Sequence, residues 1–230
     1  HDALPISGGG FILSSKQELG DIARCVGDWL EYWAVRTPNA MFMAERGTDG
    51  QWVRMTYAEV RQKVGAIAQG LLDLGLKPAQ PVVCLSDPSI EQALLMLATN
   101  HIGRPFTTIS TAYSRMTKDH GKLAAIVEKL GAGLIYAADG DVYGDAIRHA
   151  AASATVVLGS KLQAVAGARS FASLMTRAET PEVMASFSAI TPETHAKYLL
   201  TSGSTGLPKI VITTHRMLCA NQKQIQLAWP

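Results

Sequence analysis

The chain has 230 residues, 47% of them hydrophobic and only 17% charged, where about 25% charged is usual for a soluble domain. That balance excludes a disordered chain and suits one large globular domain or two small ones. Lys and Arg number 21 against 19 Asp and Glu, a net charge of +2 with no basic block, so nothing in the chain proposes nucleic acid or an acidic membrane as partner. The longest purely apolar run, residues 93–98, is far below the roughly 18 residues of a membrane span. Three scattered cysteines, Cys25, Cys84 and Cys219, suit neither a disulfide framework nor a zinc site. Residues 1–10 lack the basic start of a signal peptide, and the expected setting is a soluble, reducing cytoplasm. The chain starts on His1 without methionine and stops on Pro230, and both ends read as cut.

In chain order, Val26, Trp29, Leu30, Trp33 and Ala34 recur at helical spacing, one apolar face that Pro38 stops. Residues 40–45 and 51–55 read as two strands around Gly47-Thr48-Asp49-Gly50, a hairpin. Thr56 and Glu59 have the spacing of a capping box. Val60, Val64, Ile67, Leu71 and Leu74 then keep helical register until Gly75. The apolar run 82–85 predicts a buried strand. Asp87 and Pro88 supply an N-cap and a proline at the first helical position for a helix over 89–100. A strand over 105–109, a helix over 118–130 closed by Gly131, a strand over 134–137, a helix over 143–152 and a strand over 155–158 follow. Strands alternating with long helices predict the α/β class, a mainly parallel sheet flanked by helices.

The chemistry concentrates near the end of the chain. Lys197-Tyr198-Leu199-Leu200 leads into Thr201, Ser202, Gly203, Ser204, Thr205, Gly206, Leu207, Pro208 and Lys209, and the β-branched run 210–214 follows. Glycines let backbone N–H groups turn inward as an anion-binding nest, and hydroxyls add neutral donors. Lys209 adds a charge that can meet a phosphate oxygen. The Walker pattern G-x-x-x-x-G-K-S/T leading into a helix is not met. Here Pro208 precedes the lysine and a strand follows, so a strand–loop–strand hairpin is implied and no helix N-terminus is available to the anion. By composition alone such a cluster is equally an ordinary flexible connection; the Pro-Lys end and the flanking strands favour the phosphate cradle.

Residues 201–209 match, position for position, the phosphate-loop signature S/T-S-G-S/T-T-G-x-P-K, and the chain resembles AMP-forming acyl-CoA synthetases. That superfamily includes firefly-type luciferases and peptide-synthetase adenylation domains. The Asp28-Trp29-Leu30 helix, Thr56-Tyr57-Ala58-Glu59 and the strand–helix unit over 82–103 stand where the family has them. Residues 8–13, 111–114 and 215–222 look like bacterial feruloyl-CoA synthases in particular. Ile210 departs from the family's usual glycine, and Pro105-Phe106-Thr107-Thr108 replaces a commoner small, Pro-containing segment.

The resemblance implies the N-terminal part, residues 1–230, of an incomplete AMP-binding domain, with the C-terminal catalytic subdomain absent. It implies ATP and Mg2+ as cofactors and CoA as co-substrate, with a small-molecule carboxylic acid, ferulate or another hydroxycinnamate, joined through an acyl-adenylate to CoA. Thr201, Ser202, Ser204 and Thr205 would donate to the β- and γ-phosphates, Gly203 and Gly206 would permit the approach, and Lys209 would neutralise the departing pyrophosphate. The adenine motif, the Mg2+ ligand and the catalytic lysine would lie in the remainder of its own chain, so no catalytic or metal residue is assigned here and the 230 residues alone should be inactive. A fatty-acid ligase, an amino-acid adenylation domain and a truncated non-catalytic nucleotide-binding paralogue are the alternatives.

Elsewhere the expectations are structural. His101, His120, His149, His195 and His215 show no metal spacing and read as surface or satisfied histidines, His215 as a capping or packing residue. Trp29 and Trp33 read as core. The three thiols read as inert packing groups. Asp139 and Asp141, flanking Gly140, read as a solvated turn.

Overall fold

Val82, Val83, Cys84 and Leu85 are all fully buried, as a run of consecutive apolar residues must be if its strand is covered on both faces. A computed structural model describes residues 2–5, 8–151, 153–201 and 208–229. β1 (Asp2–Pro5) and β2 (Phe11–Ser14) form a small antiparallel pair. After α1 (Gly27–Arg36), β3 (Met41–Arg46) and β4 (Trp52–Thr56) form the expected hairpin. α2 (Tyr57–Asp73) starts on the Thr56–Glu59 capping box, each side chain taking the other's free backbone N–H. Its Val60, Val64, Ile67, Ala68 and Leu71 are fully buried, each stabilising by about 1.5–3 kcal/mol relative to exposure for the larger side chains.

The main sheet follows. β5 (Val82–Cys84), α3 (Ile90–His101), β6 (Phe106–Thr108), α4 (Gly121–Leu130), β7 (Leu134–Asp139), α5 (Gly140–Ala150), β8 (Thr155–Ser160) and β9 (Arg169–Ser170) alternate as predicted for an α/β chain. α6 (Pro181–Ser188), β10 (His195–Thr201), β11 (Lys209–Thr214) and α7 (His215–Ala228) complete it. The seven strands lie in the order β11-β10-β6-β5-β7-β8-β9. Every pair is parallel except β10–β11. Alternation along β5 and β7 divides the core. Val82, Cys84, Leu134 and Tyr136 face one apolar cluster with α2 and α3, while Val83, Leu85, Ile135 and Ala137 face a second with α4 and α5.

Three local expectations are corrected. Ser89, rather than Asp87, caps α3 by accepting the Gln92 N–H at 3.1 Å, while Asp87 pairs with Arg115 at 2.8 Å. Proline at 88 holds Asp87 extended, and the Ile90 N–H is taken by Glu45 from β3. α4 begins at Gly121, three residues later than the spacing implied, because Thr117 and Asp119 take the Asp119 and Gly121 N–H groups into a local turn. Asp139 is the N-cap of α5, accepting from the Asp141 and Val142 N–H groups, so that segment is a helix start rather than a free turn.

Candidate functional site

The parallel pairing of β5, β6, β7 and β10 points their carboxyl ends to one edge of the sheet, the edge at which open α/β sheets bind ligands. β10 ends there on Thr201, and β11 returns from Lys209. Thr201 and Lys209 are direct cross-strand partners, the last pair of the hairpin. Their side chains therefore share one face and both are exposed. Pro208, next to the lysine, is buried and so anchors the start of β11. Ser202, Gly203, Ser204, Thr205 and Gly206 lie outside the described residues. The two site residues that are described stand together at the mouth of the predicted hairpin, a hydroxyl beside an ammonium at the ligand edge. That donor set fits a polyphosphate. Among the described residues no three His, Cys, Asp or Glu side chains converge on a cation position.

The opposite faces of the hairpin differ. Tyr198, Leu200 and Ile210 pack against the second core cluster. Leu199 and Val211, on the face of Thr201 and Lys209, are 41% and 43% exposed. Lys197 lies on that same face near the base of the hairpin and lines a cavity of about 850 Å3 shared with Trp29, Trp33, Phe42, Tyr57 and Cys219. Here the expectation that Trp29 and Trp33 are core is corrected. α1 buries Gly27 and Leu30, with a Cβ at Gly27 standing only 2.6 Å from the Phe187 ring. The tryptophan stripe is turned from that contact into the hollow. Phe42 and Tyr57 stack at 4.6 Å across it, and Trp33 meets Tyr57 at 6.3 Å.

The base of the hairpin holds residues whose role the sequence does not display. Asn100, buried at the end of α3, donates through Nδ2 to the Ala196 carbonyl at 3.0 Å. His215, fully buried, accepts the Val26 N–H on Nδ1 at 3.4 Å, and its Nε2 has no hydrogen-bond partner. Burial, with Arg24 adding to it, holds the His215 imidazole down to about 4, so it is a neutral ring. His215 does pack, while the cap of α7 is Thr214. His101 is also buried, stacked on Phe187 at 4.2 Å with both ring nitrogens unbonded, contrary to the surface-or-satisfied expectation. His120 is buried too, with Asp145 at 3.4 Å. The three thiols are buried and free. Burial raises Cys25 and Cys219 to about 11 and Cys84 to about 12, which leaves them poor nucleophiles.

A family model described as AMP-binding enzyme matches residues 30–230. Among curated relatives, nonribosomal peptide synthetase 8 of Aspergillus fumigatus is 28% identical over 204 residues, 87% of this chain and 2% of that protein. Acetoacetyl-CoA synthetase from Streptomyces lividans superposes with a TM-score of 0.72 at 17% identity, over 89% of this chain and 32% of that one. The fatty acyl-adenylate ligase from L. pneumophila, in complex with acyl adenylate and pyrophosphate, superposes with a TM-score of 0.66 at 22% identity, over 94% and 34%. The chain thus spans a small part of the curated relative and about a third of the two solved structures, and it shares their fold.

Proposed function

The chain belongs to the AMP-binding enzyme family, and from that premise we propose that it is the front part of an adenylation domain in an ATP-dependent acid–thiol ligase. In this reading a carboxylate oxygen attacks the ATP α-phosphorus, the bond to the pyrophosphate oxygen breaks, and an acyl-adenylate forms. A CoA thiol then displaces AMP to give the thioester. Thr201, Ser202, Ser204 and Thr205 donate to the β- and γ-phosphates with the loop amides, and Gly203 and Gly206 let the backbone close in. Lys209 neutralises the charge that grows on the leaving pyrophosphate, so its contribution is larger in the transition state than in the ground state. Mg2+ supplies further neutralisation of the triphosphate when bound. The remainder of its own chain completes the domain and carries the catalytic subdomain, a reading supported by the one-third coverage of the solved relatives.

The observation that carries the proposal is the Thr201–Lys209 pair at the carboxyl edge of the sheet. For the acid we propose an aromatic carboxylate of the hydroxycinnamate type, supported by the resemblance of residues 8–13, 111–114 and 215–222 to feruloyl-CoA synthases. An amino acid is the second reading, favoured by the peptide-synthetase relative. The test is pyrophosphate release by the full-length protein over hydroxycinnamic, fatty and amino acids, with Lys209→Ala alongside. The expected result is turnover with ferulate and a loss in that variant of about 100-fold or more in kcat/KM. Full activity of Lys209→Ala overturns the role of the lysine, and preference for an amino acid replaces the first substrate reading by the second.

A further inference from the structure

The β10–β11 hairpin pairs with the neighbouring strand only near its base. Its strands pair with each other from His195↔Thr214 to Thr201↔Lys209, a span of about 20 Å at roughly 3.3 Å per residue. Among the described residues its register with the rest of the sheet is the single parallel pair Lys197↔Phe106, at the base. One face rests on the second core cluster through Tyr198, Leu200 and Ile210, and the other is half-exposed. With one face resting on the core, the ties at the base fix the freedom that remains, and a rotation there of about 3° moves the far end by about 1 Å over that length. A 1 Å misplacement of a substrate-positioning group can cost about 100-fold in rate.

Two kinds of tie hold the base. Backbone bonds run from His215 N–H to Thr194 and from Arg216 N–H to Pro192, and the Arg216 Nε–Glu193 pair at 2.5 Å lies beside them. These join the base to itself. Beside the β6 pairing, two side-chain ties reach other elements among the described residues: Asn100 Nδ2 to the Ala196 carbonyl, from α3, and the Val26 N–H to His215 Nδ1, from the start of α1. Because Nδ1 accepts, the proton of the neutral ring sits on Nε2, which is buried and unbonded. An orphaned buried donor is destabilising, a cost that an apolar side chain of similar size would not incur. Packing alone does not explain a histidine here; the bond to α1 does.

We propose that His215 is a positioning residue, which fixes the tilt of the hairpin against α1 and so the placement of Thr201 and Lys209 at the ligand edge. The inference rests on the reading of that pair as a phosphate site. It is tested in the full-length protein by binding of a fluorescent ATP analogue and by the KM for ATP. His215→Leu removes the acceptor and the orphaned donor together; His215→Asn keeps an acceptor, its Oδ1 standing near the position of Nδ1. The expected result is a tenfold or greater loss of ATP affinity in His215→Leu with thermal stability unchanged or higher, and recovery to within about threefold in His215→Asn. Should His215→Leu not fold, Val26→Pro removes the bond from the donor side, since the Val26 φ of −63° is one that proline takes, and is read in the same way. Wild-type affinity in the bond-deleting variant overturns the proposal, as does an asparagine variant no better than leucine. Lys209→Ala separates the two readings: if it binds ATP normally the phosphate site is wrong, and if it does not while His215→Leu does, only the positioning role is wrong.

Discussion

His101 shows how a single ionisable group ties stability to pH. Its ring is 1% exposed. It faces Glu31 at 3.5 Å, with Arg61, Glu179, Arg24 and Asp28 around it. Burial wins over the carboxylates, and with Arg61 adding to it the imidazole is held down to about 4, like that of His215. The unfolded chain, with histidine near 6.5, binds these protons first. Stability is therefore full above about pH 6.5 and is lost as the pH falls toward 4. Glu179 and Glu59, both held below their ordinary value of 4.5, act only below that. Urea midpoints taken at pH 7 and pH 5 should fall for the wild type and fall less for His101→Phe; equal falls would exclude the ring as the cause. None of this is legible locally. The partners of His101 and His215, Phe187 and Val26, are brought in from distant parts of the chain. By contrast, the pairing of Thr201 with Lys209 was legible, because a strand–loop–strand pattern is written in consecutive residues.

At the scale of elements, the readings that held rest on signals contained within one turn or one period. The capping box at Thr56 is such a signal, and α2 carries it through to a fully buried face. Thr56→Ala removes the acceptor for the Glu59 N–H and should lower the unfolding free energy by about 1 kcal/mol, seen as a lower urea midpoint with unchanged m-value. A change within error would show that water replaces the cap. Where expectation and structure part, a longer-range partner decides: Glu45 takes the Ile90 N–H at the start of α3, and Arg115 takes the Asp87 carboxylate. α6 is a different case. Thr180, Pro181 and Glu182 place an N-cap, a first-position proline and an acidic first turn together, a local start signal in a stretch that the periodicity argument leaves unassigned. β10 pairs with β11, its neighbour in sequence, whereas its partner on the other side, β6, is distant in sequence and is joined by a contact that no local signal displays.

For the whole molecule, the low charge fraction now has a location. Tyr32, Trp33 and Phe42, at or near 40–50% exposed, stand around the hollow beside α7, with Val211 and Ile212 on the hairpin and Met217 on α7 also exposed. Exposed apolar side chains in this number promote association, so the 230-residue chain alone should sediment as concentration-dependent oligomers, and Trp33→Glu should shift it toward monomer. Monomeric sedimentation of the unsubstituted chain at all concentrations would refute this. The buried thiols add a means of timing motion. Cys84 sits in the central strand between β6 and β7, while Cys25, just before α1 and packed with Phe187 and Ile190, lies close to Cys219 on α7. A maleimide reaches each only when its surroundings open. Modification of Cys84 thus clocks unfolding of the entire sheet, and that of Cys25 and Cys219 clocks the release of α7. If the last helix parts from the body on its own, those two react more than tenfold sooner than Cys84; a common rate for all three would mean that sheet and helix come apart in one event.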